Sequence, residues 1–231
     1  MNPDYGIILN FKVNANANAQ KIVRLARNIG ARAISVEGAN DLAPYKEACK
    51  DYTIELVNAH GIDLTSANAI DELINFKRNE QHAVFNVELD EIGDLLDEQK
   101  AALTLLNDWM HWFGHAYNES GKSTLKTADS NSFICENRHA KYQVYVFIKS
   151  PLPKTIKVEG FDHKPMRAEW IDERVELPFS FQNKEVTVEL SPYPDGIDYK
   201  WRVLRIMKHR PEDDIKAVSY THLTLPTILL V

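Results

Sequence analysis

The sequence predicts a mixed α/β and all-β chain: a partial (βα) barrel-like layer, or a small open parallel sheet, followed by an antiparallel β-sandwich. Three observations predict it. Strand-like and helix-like runs alternate through the first half, the pattern of parallel strands with helices packed outside them. A long periodic segment, Asp97 to Gly121, closes that half, with Leu103, Leu106, Met110, Phe113 and Tyr117 at three- and four-residue steps on one helical face. After it, nearly every apolar run reads as a short strand between turn residues.

Taken in order, Tyr5–Val13 is a continuous apolar run, as in a buried parallel strand. Ala19–Ile29 follows as a helix, with Ile22, Val23, Leu25, Ala26 and Ile29 as its buried stripe and Gly30 closing it. Ala31–Val36 is the next strand, and Glu37–Asp41 is the loop at its carboxyl end. Leu42–His60 reads as a second helix stopped by Gly61, and Ile62–Leu64 as a short strand. Ser66 reads as the cap of a third helix running to about Arg78, and His82–Leu89 as the last strand of this half. Asp97 is read as the cap of the long helix and Gly121 as its stop. A closed eight-unit barrel normally needs ~250 residues, and the alternating pattern ends before Thr124. Seven strand candidates follow: Ser132–Glu136, Lys141–Ile148, Thr155–Val158, Met166–Ile171, Val175–Phe181, Glu185–Leu190 and Lys200–Met207. The expected division is 1–121, 122–210 and a disordered tail 211–231. Within the tail, Val218–Thr227, VSYTHLTLPT, resembles a translated sequencing adapter, so 218–231 is set aside from the fold.

The bulk numbers narrow the function classes. A net charge of -6 without a basic tract argues against nucleic acid or an anionic membrane as partner. The N-terminal stretch lacks the basic region and long apolar core of a signal peptide, and no apolar run is long enough to span a bilayer. The expected compartment is the cytoplasm. Cys49 and Cys135 suit either one disulfide or two thiols.

Leu103–Trp109, then Gly114 and Ala116–Tyr117, resembles the end of the catalytic domain in the α-L-fucosidase family of glycoside hydrolases. Phe85–Val87 with Asp94–Glu98 resembles that family's last barrel strand and the loop after it. Tyr142–Pro151 resembles its first long sandwich strand, and Ala19–Ser35 its early helix-then-strand unit. The resemblance implies a (βα) barrel followed by a β-sandwich, and a retaining mechanism with an Asp nucleophile opposite an acid/base carboxylate. The nucleophile's usual Trp-x-Asp-Gly context has no counterpart. Trp170-Ile171-Asp172 lacks the Gly and falls in the β portion. The paired histidines expected after the second strand are replaced by Ser35–Ala39. No family catalytic residue carries over, which leaves the catalytic residues unknown.

Several residues are candidates on their own chemistry. Glu37 and Asp41 follow the second strand, and Glu88 and Asp90 end the last one, at the edge where α/β proteins place ligands. Were these strands neighbours, two carboxylates would face across ~5 Å, the retaining separation. Asn40 and Asn86 lie on the same edge as candidate sugar contacts, and Trp109 and Trp112 as candidate stacking rings. Asp108, His111 and His115 share a helical face but make only half a metal site, so no metal and no cofactor is expected. The expectation is an α-L-fucosidase-like carbohydrate-active protein that has lost hydrolysis. The alternative is a non-catalytic module binding carbohydrate or protein, dimerising through its open sheet.

Overall fold

A computed structural model describes residues 6–194, 199–210 and 213. Apart from Asp213, the tail expected at 211–231 lies outside the described residues. The first half runs β1 (Ile7–Lys12), α1 (Ala19–Ile29), β2 (Ala33–Glu37), α2 (Ala43–Tyr52), β3 (Glu55–Leu56), β4 (Ile62–Asp63), α3 (Ala69–Arg78), β5 (Ala83–Glu88) and α4 (Asp97–Glu119). The strands form one parallel sheet in the order β3-β2-β1-β5-β4. Its edges, β3 and β4, do not pair with one another, so the sheet is open.

Local chemistry sets some boundaries and long-range pairing sets others. In α1 the Asn18 side chain accepts from the Lys21 amide at 3.0 Å, and Gly30 closes the helix at φ 91°. The second helix is shorter than its periodicity predicts. It ends at Tyr52 with Thr53 in the left-handed region, because Glu55 and Val57 donate to Arg32 and Ile34 of the β2 segment. Ser66 does not cap α3. Its hydroxyl donates to Glu98 at 2.6 Å, and the helix begins after Asn68. Nor is Asp97 a cap. Leu96 holds that position, and Asp97 and Glu98 fill the first turn, where the helix dipole favours acids. Gly121 is not the stop either: Ser120 turns extended, and Gly121 already belongs to the next sheet.

Alternation gives the parallel sheet two different faces. Ile7, Leu9, Phe11, Ile34, Phe85 and Val87 pack into one core with the helices. On the other face, in-register pairing builds three rows across β2, β1 and β5: Ala33–Ile8–Val84, then Ser35–Asn10–Asn86, then Glu37–Lys12–Glu88. The segment 57–61 links the two edges and crosses this second face. The Ala59 amide donates to the Ser35 hydroxyl at 3.2 Å, and the Gly61 amide to Asn86 Oδ1 at 3.1 Å. Asn86 Nδ2 returns a bond to the Gly61 carbonyl at 2.8 Å.

The second half is two antiparallel sheets. Its strands are β6 (Ser120–Lys122), β7 (Ser132–Asn137), β8 (Gln143–Lys149), β9 (Thr155–Glu159), β10 (Arg167–Trp170), β11 (Phe179–Gln182), β12 (Glu185–Glu189) and β13 (Trp201–Met207). The orders are β10-β13-β8-β7-β6 and β11-β12-β9. The strand expected from Val175 starts only at Phe179, after Pro178, which has no amide to give a ladder. Val144, Val146, Ile148, Leu204 and Ile206 pack against Ile156, Val158, Val186 and Val188 between the sheets. The opposite face of the larger sheet, through Tyr145, Phe147, Trp201 and Val203, joins the core of the first half. Trp109 of α4 lies in that seam. Its Nε1 donates to the Trp201 carbonyl at 3.0 Å, and its ring stacks with Phe147 at 6.5 Å.

The crossing segment depends on Gly61. A Cβ there would stand 2.0 Å from the Val84 carbonyl oxygen, which belongs to the sheet backbone and has little freedom to move. Gly61→Ala is expected to lower the unfolding free energy by about 1–3 kcal/mol, the usual range for forced overpacking. Urea denaturation checks this; an unchanged midpoint would mean that the segment relaxes away without cost.

Candidate functional site

The carboxyl ends of β1, β2 and β5 gather the polar side chains of the open face. Asn10 and Ser35 are buried there, and Asn86 is half-buried. Asn10 Nδ2 donates to Glu37 Oε1 at 2.9 Å and to Asn86 Oδ1 at 3.0 Å. Its own Oδ1 is buried with no partner. Asn86 Nδ2 also reaches Asp63 Oδ1 at 3.1 Å. One level higher, Lys12 Nζ pairs with Glu88 Oε1 at 2.7 Å, and His60 Nδ1 from the crossing segment meets Glu37 Oε1.

The pairing explains the protonation states. The amide of Asn10 and then the ring of His60 stabilise the Glu37 carboxylate and hold it below the usual 4.5. The Glu88 carboxylate, by hydrogen bond and by charge, raises Lys12 above the usual 10.5. Both groups therefore stay charged across the physiological range. Glu37 and Glu88 do not face one another as a retaining pair. The β1 strand lies between theirs, which sets the backbones about two strand spacings, ~9–10 Å, apart. Lys12 stands between them.

The other expected residues take separate places. Asp41 Oδ1 accepts from the Ala43 amide at 2.9 Å in the turn that leads into α2, whose cap position is held by Leu42. Asp90 Oδ1 accepts from the amides of Ile92 and Asp94, closing the turn after β5. Asn40 is exposed on the loop after β2 and Asn86 joins the row. Trp109 is fully buried in the seam, so no ligand ring can stack on it. Trp112 is 42% exposed on the outer side of α4, edge-on to His111. Asp108, His111 and His115 all face solvent, and among the described residues no three His, Cys, Asp or Glu groups converge to hold a metal. Asp172 of the Trp-x-Asp match accepts from the buried Arg202 at 2.9 Å, an ion pair inside the sandwich half. Both cysteines are free thiols, and burial pushes Cys49 up to about 11. Among the described residues, no helix is long and apolar enough to cross a membrane.

Lys12, Asn10, Asp63 and His60 belong to the site but were not singled out from the sequence. The available signal was alternation: in YGIILNFKV, Asn10 and Lys12 are polar residues two apart within an apolar strand.

No family model matches the sequence, and no curated protein matches it in sequence. Solved structures do match in fold. The Thermotoga maritima α-fucosidase bound to fucose superposes with a TM-score of 0.66 at 8% identity, over 88% of this chain and 96% of that one. The Thermotoga maritima α-L-fucosynthase matches at 0.62 and 10% identity, over 83% and 77%. A Bacteroides thetaiotaomicron GH29 α-L-fucosidase, trapped as a covalent intermediate, matches at 0.51 and 14%, over 86% of this chain but 42% of that one. The chain thus has a fucosidase-like fold, mixed α/β with a parallel sheet and antiparallel sheets. At these identities the likeness concerns fold alone.

The shift on Glu37 fixes a direction with pH. A lowered folded pKa contributes stability that is present above 4.5 and is lost as pH falls through the folded value. Glu37→Gln is expected to flatten the acid limb of a urea-midpoint profile by lowering the neutral plateau toward the acid value, with little change at the acid end. An acid limb identical to that of the parent protein would show that Asn10 and His60 do not stabilise the carboxylate.

Proposed function

We propose that the chain is a reduced relative of the α-L-fucosidases that binds carbohydrate at the Glu37–Lys12–Glu88 edge without hydrolysing it. In this reading the five parallel strands are the remnant of a barrel shortened between β3 and β4, with a sandwich unit from residue 122 onward. The fold likeness supports the glycoside-hydrolase ancestry. The observation that carries the loss of hydrolysis is Lys12, paired with Glu88 and lying on the strand between the two carboxylates. Retaining hydrolysis needs one carboxylate free to attack and a protonated partner about 5 Å away. Here Glu88 is neutralised by Lys12, and Glu37 is held ionised by Asn10 and His60. The crossing segment 57–61 also occupies part of the edge where an α/β enzyme would admit substrate.

What the edge offers is a lane of alternating charged and amide groups, suited to sugar hydroxyls, which both donate and accept. The unpartnered Asn10 Oδ1 supplies a buried acceptor within it. Homodimerisation through the open sheet has less support, because each edge strand is two residues long.

The test uses the full chain with 4-nitrophenyl α-L-fucoside and a panel of other aryl glycosides, beside calorimetry with L-fucose. The expected outcome is no turnover, with fucose binding weakened about tenfold by Glu37→Gln or Glu88→Gln, as for loss of one charged hydrogen bond. Turnover abolished by either substitution would overturn the non-catalytic reading. Silence in both measurements would sink the carbohydrate reading altogether.

A further inference from the structure

A sizeable cavity lies at the other end of the parallel sheet. It measures about 570 Å³, within the range of small-ligand sites, and is lined by residues that precede β1 and β5, by the end of α3, and by β6 and β7. Six titratable side chains line it, not counting Tyr and Cys: Lys77, Arg78, Glu80, His82, Lys122 and Arg138. Four are permanent cations and one is an acid, in a chain whose net charge is -6. That concentration runs against the charge of the whole molecule.

The cations are set by different elements and are partly pre-arranged. Lys77 donates to the Ser120 carbonyl at 2.6 Å and lies over the Tyr117 ring. The Arg78 guanidinium sits 5.2 Å from the Phe133 ring centre and 5.7 Å from that of Trp201. Stacking of this kind holds the plane and leaves the edge N–H groups able to donate. Arg78 and Lys122 have no ion pair among the described residues. Phe133, Ile134 and Tyr117 give the same cavity apolar wall. Its volume far exceeds that of an inorganic anion, since one water occupies about 30 Å³.

We propose that this cavity binds a sugar-sized ligand carrying a tetrahedral oxyanion ester, phosphate or sulfate, with Arg78 and Lys122 holding the anion and the apolar wall holding the body. The proposal is independent of the fucose reading. The two sites lie at opposite ends of the strands, about 20 Å apart for six residues.

Calorimetry on the full chain with galactose 6-phosphate, galactose 6-sulfate, galactose and inorganic phosphate tests it. Either ester is expected to bind, more tightly than galactose or inorganic phosphate, and the stronger of the two identifies the anion. The double substitution Arg78→Gln and Lys122→Gln should weaken that binding at least about tenfold, since each cation supplies a charge-assisted bond. Added salt should weaken it in the parent protein. Glu37→Gln should leave it unchanged, and the charge-retaining pair Arg78→Lys and Lys122→Arg should keep most of it. No binding of either ester at millimolar concentration would overturn the proposal. So would binding that survives the double Gln substitution in a variant with an unchanged circular-dichroism spectrum.

Discussion

Asn86 treats the backbone of Gly61 as a neighbouring strand would. Its amide accepts from the Gly61 N–H and donates to the Gly61 carbonyl, so one side chain satisfies both groups of a residue that crosses the sheet. Much of the first half depends on this clamp. Without it both backbone groups of Gly61 would lose their partner where the segment 57–61 crosses the sheet. The clamp also spends one Asn10 donor on Asn86, which fixes where Glu37 can sit. A site that looks like loop chemistry is therefore set by how an open sheet covers its face.

The other organising contact is the seam along α4. One face of the helix meets the parallel sheet through Leu103, Leu106 and Phe113, while Trp109 reaches across to Trp201. Trp201 in turn donates to Asp71 of α3 at 2.7 Å, and Lys149 of β8 pairs with the same carboxylate. A hydrophobic contact and a half-buried polar chain thus join the two halves at one place. Burying the Trp109 ring is what makes the helix so apolar in sequence; its hydrogen bond keeps the indole N–H satisfied.

Much of this was legible in the sequence, and the failures have physical reasons. The bounds of α1 were readable because Asn18 and Gly30 act within a turn of the helix they close. The end of α2 was not, because it is decided by β2, which offers Glu55 and Val57 ladder partners that a helical pattern cannot anticipate. Two-residue strands such as β3 and β4 carry no periodicity at all. The Glu37 and Glu88 edge was foreseen from strand ends. Its chemistry was not, since the strand order that puts Lys12 between the carboxylates is a tertiary fact. Trp109 shows the same limit: a helical tryptophan reads more often as core than as a platform, and the sandwich sheet is what buries this one.

The reach of that seam has a consequence for how the chain is made. The bond from Trp109 to Trp201 spans 92 residues. At a synthesis rate of about 5–20 residues per second, that is roughly 5–20 seconds. Through that interval α4 has its sheet-facing side covered while Trp109 waits for a partner not yet translated. The nascent chain thus displays an aromatic stripe to its surroundings until the last strand of the larger antiparallel sheet leaves the ribosome. The folded molecule hides that stripe, so the interval of greatest exposure to chaperones, and to mispairing, falls during synthesis.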